Sequence, residues 1–228
     1  MVIDTPAVVL KSFSYGETSM IAHCFSKKNG KINLIIKGAK SKKSPKSPYF
    51  QPLSYIDIIY NHKLNRDLQT VSKVNFRRHW LNITEDLYRV SLAMTVLEIT
   101  NKVLSENDPH PVFFKTLLRV LELLNNKLIN PKIAFWFYEC ALLSNLGFQP
   151  TLENPDLPGL VLPDIQNDPS SNIIIATLLS GNIDNLYEEK ISKKTNSLIS
   201  NYLWSLITYH FENLSNIKSI SVVRKLLS

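Results

Sequence analysis

Apolar residues alternate with polar ones over the first third of the chain and recur every three or four residues after it. Five runs of strand-like composition cover residues 7–13, 19–25, 31–37, 53–60 and 68–76. In the third run, Ile32, Leu34 and Ile36 fall on one face and Lys31, Asn33, Ile35 and Lys37 on the other. The sequence Asn29-Gly30 between the second and third runs predicts a hairpin with a type I′ turn.

The five runs predict a small barrel. Residues 38–48 have no hydrophobic period and predict an exposed loop between the third and fourth strands. In the fifth run, Lys73, Asn75 and Arg77 share one face, opposite two apolar side chains. The OB-fold is the commonest five-stranded barrel, and an SH3-like barrel would give much the same pattern.

From residue 81 onward the period is helical, and five helices are expected. Three of them cover residues 109–125, 192–212 and 217–227, and the first of the five has Glu85 and Asp86 in its first turn and extends to Leu104. Thr84 is the expected N-cap of the first of these helices. Asn130 followed by Pro131 predicts the start of the remaining helix, and Gly147 predicts its end.

The predicted fold class is α+β with two domains. Residues 1–80 form the barrel, and residues 81–228 form an all-helical domain interrupted by a proline-rich connector at 149–170. Hydrophobic residues make up 44% of the chain and charged residues 20%, which is typical of a soluble globular protein. The first residues lack the pattern of a secretory signal, and no apolar stretch approaches the ~20 residues of a membrane span.

Charge is divided unequally along the chain, whose net charge is +7. Residues 1–80 carry 14 Lys and Arg against four acidic residues, whereas residues 81–228 carry 12 against 15. Five lysines lie between Lys37 and Lys46. Because like charges repel, such a cluster is stable only if it is solvated or meets an anion, so the first domain is expected to face a polyanion.

Single-stranded nucleic acid is the polyanion that the pattern favours. Lys31, Lys37, Lys73, Arg77 and Arg78 add positive charge on or beside the strands. Aromatic side chains near them offer faces on which bases could stack: Tyr15, Phe25, Tyr49, Phe50, Tyr55 and Tyr60. The competing interpretations are a solubilising loop for the lysines and a barrel core for the rings.

No pattern of catalytic or metal-binding residues is present. The five histidines are scattered, the two cysteines are 116 positions apart, and the common nucleophile and phosphate-loop motifs are missing. His210 is expected to pack in a helical core rather than to bind a metal. The chain is therefore expected not to be an enzyme, and the cysteine content indicates a reducing cytoplasm.

Several short segments, in this order and spacing, resemble the RecO family of bacterial DNA-repair proteins. They are Tyr15-Gly16-Glu17, Ser26 to Lys31, Lys37-Gly38-Ala39, Gln51-Pro52-Leu53, Asp67 to Thr70, Leu146 to Pro150, and Tyr202, His210 and Ile217-Lys218-Ser219 in the tail. The resemblance covers nearly the whole chain. It implies an N-terminal OB-fold, a helical second domain and no catalytic turnover.

The resemblance also implies a function in the bacterial cytoplasm and the nucleoid. Proteins of this family are recombination mediators that bind single-stranded and double-stranded DNA and anneal complementary strands. They bind the C-terminal tail of the single-strand-binding protein SSB, act with RecR and in some cases RecF, and help RecA to replace SSB.

Roles carried over from the family fall on particular residues. Lys37, Lys40, Lys42, Lys43 and Lys46 would line the DNA path, and Lys31, Arg66, Arg77 and Arg78 are further candidates. Lys115 and Arg119, one helical turn apart, are the expected rim of the pocket for the SSB tail, although an ordinary solvated helix face would look the same.

The sequence departs from many members of the family at one place. The stretch after Leu146-Gly147-Phe148, residues 151–171, has no cysteine, whereas many relatives carry a four-cysteine zinc site there. No cofactor is therefore expected, and the connector is expected to be held by packing. Two other functions remain open: a general RNA- or DNA-binding OB-fold protein, or a structural adaptor that binds an acidic partner.

Overall fold

The computed structural model describes residues 1–42, 45–153, 157–186, 191–214, 217 and 223. The chain divides into two compact units. The first comprises Met1–Leu81 and Val96–Phe114, and the second comprises Asn82–Thr95 and Lys115–Ser228. Thus the first unit contains helical residues that lie beyond the predicted domain boundary at residue 80. None of the described helices combines the length and the hydropathy needed to cross a membrane.

A closed five-stranded barrel forms the larger part of the first unit. Its strands, in chain order, are β1 (Val2–Tyr15), β2 (Ser19–Ser26), β3 (Gly30–Ile36), β4 (Tyr55–Asn61) and β5 (Leu68–Arg78). They are arranged around the barrel in the order β1-β2-β3-β5-β4. All neighbours pair antiparallel except β3 and β5, which are parallel. This is an OB-fold, as predicted.

The alternation in β3 forms the barrel core as predicted. Ile32, Leu34 and Ile36 are at most 1% exposed. The segment after β3 is less open than its sequence suggests, because Ala39 is fully buried and its carbonyl oxygen accepts hydrogen bonds from the backbone N–H groups of Lys46 and Ser47. A short 3₁₀ helix, Ser47–Phe50, follows. The prediction of an exposed loop over 38–48 is therefore wrong at these positions.

The hairpin between β2 and β3 is confirmed, but the predicted type I′ turn is wrong. Ser26 pairs with Gly30, so three residues form the loop, and only Gly30 has a positive φ, at 65°. A three-residue loop closed by one left-handed residue satisfies the same strand twist as a two-residue I′ turn. Ser26 Oγ strengthens the loop by accepting from Asn29 N at 3.1 Å and donating to Gly30 O at 3.0 Å.

Strand β1 is twice as long as predicted because it pairs with two neighbours in succession. Its first half pairs with β4 and its second half with β2, and an irregularity between Val9 and Lys11 allows the change. The fourth strand begins later than predicted. Leu53 has a φ of 74°, which is incompatible with an extended strand, so β4 starts at Tyr55.

The helices follow from residue 81. They are α1 (Leu81–Thr84), α2 (Leu87–Val103), α3 (Pro111–Asn125), α4 (Pro131–Asn145), α5 (Pro169–Ser180) and α6 (Lys193–His210). The prediction that Thr84 caps α2 is wrong, because Thr84 is the last residue of α1. Asp86 caps α2 instead, because its Oδ1 accepts from the backbone N–H groups of Tyr88 and Arg89 at 2.8 and 3.1 Å.

Both ends of α4 are confirmed. Asn130 accepts a hydrogen bond from Lys132 N, and Gly147, with a φ of 89°, lies just beyond the C-terminus. Helix α5 was not predicted. Its sequence nevertheless has the same start and stop signals as α4, namely a capping residue followed by proline, Asp168-Pro169, and a glycine after the last turn, Gly181. Most of the helix predicted over 217–227 lies outside the described residues.

The core of the second unit is built around α4, which packs on α5 and α6. Its Trp136 is fully buried and donates from Nε1 to Ser200 Oγ at 3.0 Å. A second anchor is Arg89, only 6% exposed, whose guanidinium donates to the carbonyl oxygens of Leu124, Asn126, Lys127 and Ile129. Arg89 thus links the start of α2 to the end of α3, because the carbonyl groups at the C-terminus of a helix have no hydrogen-bond partner within the helix.

Candidate nucleic-acid interface

Three segments of the chain meet at one end of the barrel: the β1–β2 turn, the segment after β3 and the end of β5. Tyr15 pairs with Ser19 and Met20 pairs with Ile36, so the β1–β2 turn lies where β3 ends. Because β5 is parallel to β3, it finishes at the same end, beside the 3₁₀ helix. We call this region, formed by residues 11–18, 37–42, 45–50 and 77–79, the basic end of the barrel.

Most of the predicted DNA-binding lysines lie at the basic end. Lys37, Lys40 and Lys42 are exposed, and Lys46 is half-buried. Lys40 holds the segment against the β1–β2 turn, since its Nζ donates to Ser14 Oγ at 2.6 Å and its backbone N donates to Thr18 O at 3.0 Å. Lys43 lies outside the described residues. The described lysines thus form a cationic surface beside the turn, to which Lys40 is hydrogen-bonded.

Exposed aromatic rings lie beside these lysines. Beyond the irregularity in β1, Lys11, Phe13 and Tyr15 alternate onto the outer surface of the sheet, and Phe13 and Tyr15 are 41% and 51% exposed. Lys11 Nζ lies 5.9 Å from the centre of the Phe13 ring. A ring–cation arrangement of this kind suits a single strand, whose bases stack while its phosphates meet positive charge.

Sequence reasoning missed Lys11 and Phe13, although both lie in the predicted first strand, because that strand was not extended to Tyr15 and the three side chains were not placed on one face. The pattern Lys-x-Phe-x-Tyr from residue 11 to 15 could have revealed them. Of the rings that it did suggest, Phe25, Phe50 and Tyr60 are fully buried and have no face to offer.

The part of the β2–β3 outer surface away from the basic end is covered by α3 and by the segment that joins α2 to α3, both in the same unit. Phe25 packs on Phe113 and Phe114, with ring centres 5.9 and 5.4 Å apart. Asn33 Nδ2 donates to Glu106 Oε1 at 2.7 Å, and Gly30 approaches Asp108 closely. OB-folds commonly bind oligonucleotides across this surface. Among the described residues, none of these contacts reaches the part nearest the basic end, which stays open.

Lys31 belongs to the covered part. Its Nζ donates to the carbonyl oxygen of Asn101 at 2.9 Å, and its own carbonyl oxygen accepts from Asn107 N. Burial lowers the pKa of Lys31, and nearby Glu106 partly offsets this effect. The side chain therefore holds the helical segment on the barrel, which makes it the weakest of the candidate DNA ligands.

The three candidate arginines occupy different surroundings. Arg66 is exposed in the β4–β5 loop, at the end of the barrel opposite the basic end. Arg77 Nε donates to both carboxylate oxygens of Asp57 at 2.7 Å, and these bonds, with one to Tyr55, raise the pKa of Arg77. Arg78 is exposed and lies 4.8 Å from the centre of the Trp80 ring. Of the three, Arg78 places exposed positive charge at the basic end, whereas the charge of Arg77 is paired with Asp57.

Lys73, Asn75 and Arg77 share the outer face of β5, as predicted. They line an open groove of about 490 Å³ together with Lys28, Asp4 and Asp57. Two carboxylates among three cations leave this groove nearly neutral. Its charge therefore favours a polyanion less than that of the basic end does.

The two residues suggested for the SSB tail lie on α3 in the second unit. Lys115 and Arg119 are both exposed. Arg119 is 3.4 Å from Asp184 Oδ1 and 4.0 Å from Glu122 Oε2, in pairs with high solvent exposure. Such pairs contribute little and dissociate easily, so Arg119 can exchange these partners for another carboxylate.

The two cysteines are poorly suited to bind zinc. Cys24 and Cys140 are both buried, and burial raises the pKa of each thiol, which opposes the thiolate form that zinc requires. Within the described ranges, no three His, Cys, Asp or Glu side chains gather closely enough to hold a metal. His210 is half-buried rather than part of the helical core, and its ring stacks on Phe148 with ring centres 4.0 Å apart.

Comparison with known proteins gives two family models in succession. Residues 1–79 match the model described as "Recombination protein O N terminal", and residues 84–155 match "Recombination protein O C terminal". The two models meet where the barrel gives way to helices.

Curated relatives carry the same description. The DNA repair protein RecO of Salinibacter ruber is 30% identical over 152 residues, which are 67% of this chain and 58% of that protein. That of Alkaliphilus metalliredigens is 34% identical over 152 residues, 67% of this chain and 61% of that protein. The match thus spans about three fifths of each of these relatives.

A third relative, the DNA repair protein RecO of Flavobacterium psychrophilum, is 26% identical over 242 residues and matches over 100% of both chains. Both family models, the OB-fold barrel and a match over the full length lead to the same conclusion. The chain belongs to the RecO family of DNA repair proteins.

Proposed function

We propose that this protein is a non-catalytic recombination mediator that binds single-stranded DNA at the basic end of its barrel. The observation that carries the proposal is the meeting of two features there. Lys37, Lys40 and Lys42 present charge for phosphates, and Phe13 and Tyr15 present rings for bases. Either feature alone would be ordinary; together, on the open part of an OB-fold surface, they favour a single strand.

Strand annealing follows from the same charge. Two complementary strands repel each other through their phosphates, and lysines that replace condensed counterions reduce this repulsion. A strand held on Phe13 and Tyr15 by stacking keeps its pairing edges free. The protein is therefore proposed to anneal complementary strands and to bind the duplex that forms.

Partner proteins complete the proposed activity. The protein would act with RecR, and in some settings with RecF, to help RecA replace SSB on single-stranded DNA in the bacterial cytoplasm. The acidic tail of SSB would dock on the second unit, where Lys115 and Arg119 offer cationic groups to its carboxylates. No metal or organic cofactor is part of the proposal.

A salt titration tests binding at the basic end. The affinity for a single-stranded oligonucleotide is measured over a range of salt concentrations for the wild type and for a Lys37→Gln/Lys42→Gln variant. Each phosphate contact contributes about −0.7 to the slope of log K against log salt. The double variant should therefore flatten the slope by about 1.4.

The matched control carries the same charge change elsewhere on the barrel. Lys63→Gln/Lys73→Gln replaces two exposed lysines outside the basic end. Equal slopes for the two variants would refute the basic end as the interface. A wild type with no affinity for single strands would leave only the adaptor function, and preference for RNA would favour a general nucleic-acid-binding protein.

A further inference from the structure

A column of three aromatic rings runs from the barrel core into solvent at the basic end. Tyr49 stacks on Phe76, with ring centres 4.4 Å apart and planes at 21°. Phe76 in turn contacts His79, with centres 4.3 Å apart and planes at 45°. Tyr49 and Phe76 are half-buried against the barrel core, whereas His79 is exposed. His79 is thus the solvent-facing end of the column.

The column is held from both sides. Tyr49 N donates to Lys46 O at 3.1 Å, and Lys46 N donates to the carbonyl oxygen of buried Ala39. On the other side, Trp80 is 3% exposed and its Nε1 donates to Leu53 O at 3.0 Å. Residues on each side of the rings are therefore fixed, and the imidazole of His79 is supported by a ring beneath it before any ligand arrives.

Basic residues precede the rings of the column in the chain. Arg78 comes directly before His79 and is exposed, and Lys46 precedes the 3₁₀ helix that carries Tyr49. A supported, solvent-facing ring in a basic region has the features of a base-stacking platform, because every nucleobase has a π-face and the phosphates of the strand need counter-charge. If these rings served only to close the end of the barrel, the two half-buried rings would be enough, and an exposed third ring would not be needed.

We propose that His79 binds a nucleobase by stacking, as a second platform separate from Phe13 and Tyr15. A strand bound on that pair would continue past the lysines to His79, across the basic end of the barrel. This inference rests on the proposed function and adds a base contact that involves no phosphate.

The test compares variants in their affinity for a single strand at constant pH. His79→Ala should weaken binding about tenfold without changing the salt slope, and His79→Phe should restore the affinity. His62→Ala, in the loop at the opposite end of the barrel, is the matched control and should bind as the wild type does. His79→Gln gives a second variant without a ring should the alanine variant be unstable.

The outcomes separate the inference from the proposed function. If His79→Ala and His79→Gln bind as tightly as the wild type, while Lys37→Gln/Lys42→Gln loses affinity, the stacking role of His79 is refuted and the interface stands. If His79→Phe fails to restore affinity, the imidazole acts by hydrogen bonding and the stacking proposal is wrong. If the wild type binds no single strand, the proposed function itself fails.

Discussion

Gly30 is a point of close approach between the barrel and the segment that joins α2 to α3. Its φ is 65°, and a Cβ built on it would lie 1.9 Å from the carbonyl oxygen of Asp108 and 2.5 Å from the carbonyl carbon. A Gly30→Ala substitution therefore has two effects. It places a side chain in the left-handed region, and it forces the backbone at Asp108 to move by about 1 Å or more.

The two effects can be estimated separately. The left-handed conformation costs about 1–2 kcal/mol for alanine. Moving Asp108 disturbs three neighbouring hydrogen bonds: Asn107 N to Lys31 O, Lys31 Nζ to Asn101 O, and Asn33 Nδ2 to Glu106 Oε1. At about 0.5–1.5 kcal/mol each, their partial loss raises the expected decrease in the free energy of unfolding to about 3–5 kcal/mol.

Gly38→Ala is the matched control, because Gly38 has a φ of 64° and a Cβ there would meet no atom within 4 Å. It should lose only the conformational cost of about 1–2 kcal/mol. Urea unfolding followed by circular dichroism gives both values. If Gly30→Ala loses no more stability than Gly38→Ala, the close packing of residues 101–108 on the barrel is refuted, and with it the covered part of the β2–β3 surface.

Four further outcomes are expected. Phe13→Ala/Tyr15→Ala should lower the affinity for single-stranded DNA at least tenfold in fluorescence anisotropy, and an unchanged affinity would exclude stacking at these rings. Arg89→Met should reduce the free energy of unfolding by about 3–5 kcal/mol, since it leaves buried carbonyls unsatisfied; a loss below 1 kcal/mol in urea unfolding would contradict this role. Burial lowers the pKa of His210 below its ordinary value of 6.5. As the pH is lowered through this range, the unfolded chain takes up a proton before the folded chain does, so the free energy of unfolding decreases. His210→Phe should reduce that fall between pH 7 and 5, measured as the shift in melting temperature. Prolonged treatment with a zinc chelator should leave the melting temperature of the wild type unchanged, whereas a drop would reveal a metal.

The barrel was predictable because its strands carry local information. Ile32, Leu34 and Ile36 specify which face of β3 is buried, and the glycine in Asn29-Gly30 marks the hairpin. The turn type and the length of β1 were not predictable, since both depend on pairing with distant partners. Helix α5 could have been found, because Asp168-Pro169 and Gly181 bound it as clearly as the corresponding residues bound α4.

The lysines of the site were visible in the sequence, but their surroundings were not. Lys31 and Lys37 lie on the same outward face of the third run, yet only Lys37 is exposed. Nothing local to Lys31 reveals that the carbonyl oxygen of Asn101, seventy residues away, accepts a hydrogen bond from its Nζ. Likewise, the support of His79 by Phe76 and Tyr49 arises from a 3₁₀ helix that the loop prediction did not include.

The central claim is tested most directly by annealing complementary single strands that are coated with SSB. The wild-type protein should accelerate annealing of both coated and naked strands, and the Lys37→Gln/Lys42→Gln variant should be slower on both, because it neutralises fewer phosphates. Lys63→Gln/Lys73→Gln should match the wild type. Annealing of naked strands but not of SSB-coated strands would contradict the mediator role and leave a general single-strand-binding protein.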